Sequence, residues 1–466
     1  MSRKASFGPA FGPGRFYAEA LALVVPVMAQ ALVTSMVSLV DNFMVAGLGD
    51  AKMAAVNVAN QINFVYFVVL NTVAMAGGIY LSQHRGAGNE EGMRQAFRFK
   101  LILSLAVSAL HLALCLALPG RLIRIMVSGN AAADEIVREG AAYLRAVAPS
   151  YVPIAVSLAI GSSYRDVGRA KAPLAFSAAA ALTNTFFNWI LIYGHLGAPR
   201  LEIAGAAIAT DIARLVELLA FLAWTKASRP AFAFRPSRLF ALDGRLFREI
   251  LGKSGMMIFS ESAWVVSETI ITAIYNGRGG AETVAGMAAG WTIANVFFLV
   301  FGAIQNATSV IVGSTLGAGR LDEARVKARW ISSGAVVLGA AVGLVAAGST
   351  SIVPLVFGNL SDVAQRVTRG LVLVIAAYLP LWTLLNAQFA LSRAGGDTAM
   401  GVYVDVGVTY VLFVPAAFAL AAWTGMGPVP LYAIAKLSDF FKAAVARWWL
   451  AKEKWVRNLA AAPAGD

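Results

Sequence analysis

Apolar runs of membrane-spanning length recur along the whole chain, separated by short charged or Gly/Pro-rich breaks. A spanning helix needs about 20 predominantly apolar residues. In the first half the runs predict spans at 17–47, 53–82, 101–119, 146–164, 172–194 and 203–225. The second half repeats the rhythm at 254–276, 283–313, 330–350, 370–392, 398–423 and 429–446. The predicted fold is all-α and integral to the membrane, with twelve transmembrane helices and both termini on one side.

Composition agrees: of 466 residues, 59% are hydrophobic and 14% charged, and the mean hydropathy is +0.69. So little charge cannot cover a soluble globule of this size. The net charge of +13 could suggest nucleic acid, so the placement of the Lys and Arg residues decides. Of the 38, 26 fall in the two tails and the even-numbered loops, 9 in the opposite loops, and three (Arg214, Lys436, Lys442) within spans. That asymmetry puts both termini in the cytoplasm and makes the lipid bilayer, not nucleic acid, the partner. The basic N-terminal tail, with Arg3, Lys4 and Arg15, is Gly/Pro-broken and lacks a cleavage pattern, so no cleaved signal peptide is expected. The lone Cys115 excludes an intrachain disulfide, and His84, His111 and His195 are too scattered for a metal site. No cofactor is expected.

Two landmarks recur. QHRGAGNEEGMRQAF after the second span matches STLGAGRLDEARVKA after the eighth, Gly86 falling on Gly317 at an offset of 231. SYRDVGRAKAP after the fourth matches LSRAGGDTAM after the tenth, Arg165 falling on Arg393 at an offset of 228. Two matches at nearly one offset predict two pseudo-symmetric six-helix bundles, 1–225 and 254–466, joined by a basic cytoplasmic linker at 226–253. Six spans per half give both copies the same orientation, a parallel repeat.

One acid interrupts the first span. Asp41 lies in PVMAQALVTSMVSLVDNFMVAGLG, and a carboxylate at the bilayer centre costs about 2.5–3.5 kcal/mol on insertion scales, so such acids usually serve ion or proton movement. Asp211, Glu217, Glu268 and Asp405 also fall within spans; Arg214, three residues from Asp211, is its expected partner. Pro26 and Pro380 each remove a helix hydrogen bond and are candidate hinges. Around the acids, Met36, Phe43, Phe64, Met257, Phe259 and Trp264 are candidate lining for a drug-sized cavity.

Pro26 with VDNFMVAGLG, the GAGNEE and GAGRLDEAR loops, YRDVGRAKAP leading to TNTFFNWILIYG, and IAGAAIAT in the sixth span together resemble the multidrug and toxic compound extrusion (MATE) transporters. The resemblance covers nearly the whole chain. It implies two six-helix lobes around a central cavity, alternating access, and export of bulky, often cationic organic compounds in exchange for H⁺ or Na⁺. The ion site it implies in the first lobe comprises Asp41, Asn184, Asn188 and Thr210, with Asn188 standing where the family usually has Asp. Asn184 and Asn188 stand four apart and share a helix face. One carboxylate with amide and hydroxyl oxygens can neutralise one Na⁺ or accept one proton; loss of a charged oxygen ligand weakens metal binding more than protonation.

For the second lobe the resemblance implies Glu261 and Tyr378, with Trp382 where a family Asp would stand. Lys436 occupies the repeat position of Thr210, AIAK on AIAT, and is expected to pair with Glu261 or Asp439 as a tethered cation. The expected protein is a monomeric exporter of small organic molecules in the cytoplasmic (inner) membrane. A lipid-linked precursor flippase of the same wider superfamily is the alternative; it usually carries two more helices and a more basic cavity. An intramembrane enzyme is excluded for want of a nucleophile and base, a metal cluster or a facing acidic pair.

Overall fold

The computed structural model describes residues 10–129 and 132–461, and among them all regular structure is helical. Arg3 and Lys4 of the N-terminal tail lie outside the described residues. Twelve long helices follow one another. The first six are α1 (Gly14–Ala46), α2 (Asp50–Gly86), α3 (Glu90–Ala117), α4 (Ala133–Asp166), α5 (Lys171–Tyr193) and α6 (Glu202–Ser228). The second six are α7 (Gly244–Asn276), α8 (Ala281–Gly317), α9 (Leu321–Val356), α10 (Asp362–Ala394), α11 (Gly401–Trp423) and α12. The last is two helices, Pro428–Ala435 and Ser438–Ala451, interrupted at Lys436. Ten of the twelve are long and apolar enough to cross a membrane. The exceptions are α6, which carries Asp211, Arg214 and Glu217 in its middle, and the broken α12.

α3 and α10 outrun their apolar stretches because polar residues cap them. α3 begins eleven residues before its predicted span, at Glu90: the Asn89 side chain accepts the Gly92 N–H at 2.8 Å, and Glu90 and Glu91 occupy the positive first turn. The linker is shorter than predicted, since α6 runs to Ser228 and α7 starts at Gly244. Pro236–Arg238 forms one 3₁₀ turn between them.

Two compact units divide the chain. The N-terminal unit holds Ala29–Leu81 and Asn89–Ser254; the C-terminal unit holds the chain from Gly255, with Ser82–Gly88 and the described residues up to Met28. The division therefore falls within α1, two residues after Pro26.

In the N-terminal unit, His111 stacks on Tyr66 at 4.4 Å and packs edge-on to Tyr151, while its Nε2 and the Tyr151 hydroxyl both meet Asn63 Oδ1. That histidine is core. Nearby, Lys100 is fully buried and its ammonium donates to Asp166 at 2.6 Å and Ser163 at 3.2 Å. Gly77 and Gly78 on α2 make room for this pair: a Cβ on the first would lie 2.3 Å from Lys100 Cγ, and on the second 2.7 Å from Asp166 Oδ2.

The C-terminal unit packs α10 against α8 and α9 around Ile375, Leu379, Trp382 and Tyr432. Here the ends of α2 and α8 cross at van der Waals contact. A Cβ on Gly86 would meet the Ser314 carbonyl oxygen at 1.9 Å, and one on Gly317 would meet that of Gln83 at 1.8 Å. Gln83 and Ser314 stand at the same offset of 231 as the two glycines, so the contact is reciprocal.

Other features obey the repeat too. Gly88 and Gly319, 231 apart, take φ of +67° and +74°; Gly168 and Gly396, 228 apart, take +76° and +78°, left-handed values that glycine adopts without strain. Arg165 donates to Gln30 at 3.1 Å in the first unit, and Arg393 to Glu261 at 3.0 Å in the second. Gln30 and Glu261 are again 231 apart. The fold is twelve membrane helices in two pseudo-symmetric bundles.

Candidate functional site

A close crossing of α5 and α6 assembles the polar cluster of the N-terminal unit. Gly205 allows it, because a Cβ there would lie 2.5 Å from the Leu191 carbonyl oxygen. Asn184, Asn188 and Thr210 consequently face one another across the two helices. Asn188 is 1% exposed and Asn184 5%. The Asn188 amide nitrogen donates to Asp41 Oδ1 at 2.5 Å and to Asn184 Oδ1 at 3.1 Å. Asn184 in turn donates to the Thr210 hydroxyl at 3.3 Å. With the Asn184 amide turned over, its nitrogen donates instead to both Asp41 oxygens, at 2.7 and 3.2 Å. All four residues expected of this site are brought together.

Chemically, the cluster presents one carboxylate, two amides and a hydroxyl. Among the described residues no Lys or Arg nitrogen comes within salt-bridge distance of Asp41. Asn188 Oδ1 is buried and lacks a hydrogen-bond partner, which leaves an acceptor free beside the carboxylate. No group of three His, Cys, Asp or Glu that could hold a metal occurs among the described residues. The set suits a proton or a hard monovalent cation, taken as cargo.

Arg214 does not pair with Asp211 as expected. Its guanidinium meets Glu217 at 2.9 Å, because Glu217 is held in place by Ser177 on α5, whose hydroxyl donates to Oε1 at 2.9 Å. Ser177 accepts from Gln30 at 2.8 Å, and Gln30 accepts from Arg165. A chain of hydrogen bonds thus links α4, α1, α5 and α6. Asp211 is left with a buried Oδ1 that has no hydrogen-bond partner.

The residues expected of a second site do not converge. Glu261 is held by Arg393, and the Tyr378 hydroxyl donates to the Ala433 carbonyl at 2.7 Å. Lys436 pairs with neither Glu261 nor Asp439. Its ammonium lies 3.5 Å from Glu268 on α7, while Asp439 accepts from Trp382 Nε1 at 2.8 Å and sits 3.7 Å from Lys442. Lys442 also bonds Asp405 at 2.8 Å and Thr409 at 2.9 Å. Glu268 and Asp405 were visible as acids within spans, but single-chain spacing carried no signal for their partners.

Of the candidate cavity residues, Met36, Phe43, Phe64, Phe259 and Trp264 are exposed on their units, whereas Met257 is buried. Met257 belongs to the packing of α7. Pro26 and Pro380 lie inside continuous helices, α1 and α10.

Comparison with known proteins fits this arrangement. The chain is 24% identical over 449 residues to the probable multidrug resistance protein NorM of Halalkalibacterium halodurans, covering 93% of each chain. It is 26% identical over 434 residues to the multidrug resistance protein PmpM of Pseudomonas aeruginosa, covering 91% of this chain and 85% of that one. The crystal structure of a MATE protein in complex with MaL6 superposes with a TM-score of 0.84 over 97% of this chain and 99% of that chain; at 19% identity this establishes the shared fold. The MatE family model matches residues 26–190 and 257–419, the greater part of both halves. The chain belongs to the MatE family, and it is a membrane transporter and not an enzyme.

Proposed function

We propose that this transporter exports bulky cationic or amphipathic organic compounds in exchange for H⁺, with Asp41 as the group that binds and releases the coupling proton. The observation that carries the reading is the Asp41 cluster: a membrane carboxylate held by amide donors, with no lysine or arginine nitrogen within salt-bridge distance among the described residues. Such an acid is favourable in a membrane interior chiefly when its charge is met in turn by a mobile cation. Asn188 in place of a second acid favours the proton over Na⁺, because a hard metal ion gains most from charged oxygen ligands. Proton loading at Asp41 then alternates with substrate occupancy as the two lobes exchange inward-open and outward-open states, Pro26 acting as the hinge of α1. The multidrug resistance names of the relatives support the substrate class. The protein works as a monomer in the cytoplasmic membrane with both termini inside.

The test is efflux of a fluorescent organic cation from proteoliposomes, under an imposed pH gradient and separately under an imposed Na⁺ gradient. Wild type is expected to respond to the pH gradient, and Asp41→Asn to abolish the response. Efflux that survives Asp41→Asn overturns the role of Asp41, and efflux driven by Na⁺ alone overturns the ion. If neither gradient moves the dye, the flippase reading is the one to pursue.

A further inference from the structure

The break in α12 places a lysine inside an aromatic box. Lys436 Nζ lies 4.2 Å from the ring centroid of Phe413, 5.6 Å from that of Tyr432 and 5.8 Å from that of Trp382. The fourth wall is Glu268, at 3.5 Å. Rings around a cation with a carboxylate at one side are the chemistry that recognises organic ammonium ions. The lysine does not snorkel: its side chain is 13% exposed, and that of Glu268 25%.

Neighbouring charges sharpen the point. Asp439 is answered by Trp382 Nε1 and Lys442, and Asp405 by Lys442. Among the described residues, Lys436 is the one cation within salt-bridge distance of Glu268. Three carboxyl groups, those of Glu268, Asp405 and Asp439, therefore share two ammonium groups, so the region retains an excess of acid even with Lys436 in place. Trp382 is fixed in the wall by stacking on Tyr378 and by its bond to Asp439. The box is held by its neighbours as well as by its occupant.

We propose that Glu268 and the rings of Phe413, Tyr432 and Trp382 form an organic-ammonium binding site in the C-terminal unit, filled by Lys436 as a built-in occupant that an external cation must displace. A primary ammonium on a flexible stem is a replaceable plug. Ligands that compete with it combine a positive nitrogen with apolar surface for the rings.

Propylammonium carries the atoms that Lys436→Ala removes, and it is the probe. Purified full-length protein in lipid nanodiscs is titrated with radiolabelled propylammonium. Lys436→Ala is expected to bind it about tenfold or more tightly than wild type, and Lys436→Ala/Glu268→Gln to fall back to the wild-type level. Monodisperse Lys436→Ala that binds no better than wild type overturns the proposal. Should that variant not fold, wild type decides through the rate of reductive methylation of the Lys436 amine, read by mass spectrometry. The rate is expected to rise in Glu268→Gln and on addition of tetramethylammonium; a rate unchanged in both overturns the proposal. Binding and labelling, not efflux, are measured, so the outcome is independent of the coupling role of Asp41.

Discussion

Asp41 is held in the membrane by amide donors, the shortest bond coming from Asn188 at 2.5 Å. Replacing that amide by a carboxylate sets two acids against each other, and neither is comfortable without a cation between them. Asn188→Asp is therefore expected to make dye efflux respond to a Na⁺ gradient, with a gain in apparent Na⁺ affinity on the order of tenfold. The same proteoliposome assay checks it; an unchanged Na⁺ response means that Asn188 does not face the coupling ion. Lys100 offers a second residue-scale test. Breaking a buried ion pair from one side costs about 3–5 kcal/mol, whereas replacing both partners by apolar groups is often neutral. Thermal unfolding in detergent should show a large loss for Lys100→Met and recovery of most of it in Lys100→Met/Asp166→Leu.

Much of the site was legible at this scale, and the misses have a common cause. Asn184 and Asn188 came from the family resemblance, which their spacing of four on one helix suits, and Asp41 announced itself by its apolar surroundings. Pairing was harder. Arg214 stands three residues from Asp211 and three from Glu217, so spacing cannot choose between them; Ser177, a residue of another helix, does. Lys436 had Asp439 three residues away, yet Glu268 on α7 takes it, while Trp382 and Lys442 take Asp439. Ion pairs between helices depend on which faces pack, and that is a tertiary property.

At the scale of elements, the crossing of α5 and α6 sets the distance from Thr210 to Asn184. A methyl group at Gly205 would press on a backbone oxygen, which cannot swing aside as a side chain can. Gly205→Ala is expected to destabilise the protein by about 1–3 kcal/mol and to weaken efflux driven by the pH gradient. Gly302→Ala, where a Cβ meets nothing within 4 Å, serves as the control in both the melting and the transport measurement. Helix number and order were readable because length and apolarity fix them. Helix ends were less so: α3 and α10 extend beyond their apolar runs on polar caps, and α12 breaks where the periodicity ran on.

For the whole molecule, the distribution of Lys and Arg predicts a cytoplasmic linker. Cys115 is buried, so a Cys115→Ala background carries no competing thiol. In it, Ser237→Cys is expected to react with a membrane-impermeant maleimide in inside-out vesicles and to be inert in intact cells; the opposite pattern inverts the topology. The two halves announced themselves through GAG and SYRD landmarks, and the structure gives those landmarks matching backbone turns. What no string of letters revealed is that Gly86 leans on Ser314 while Gly317 leans on Gln83. In homodimers such an exchange is the mark of an isologous interface, where one patch meets its own copy across a twofold axis. Inside a single polypeptide the same exchange joins two repeats that are alike in pattern but not identical in sequence. Because the two patches are separate stretches of one chain, a substitution such as Gly86→Ala strikes one side of the joint, where in a homodimer it would strike both.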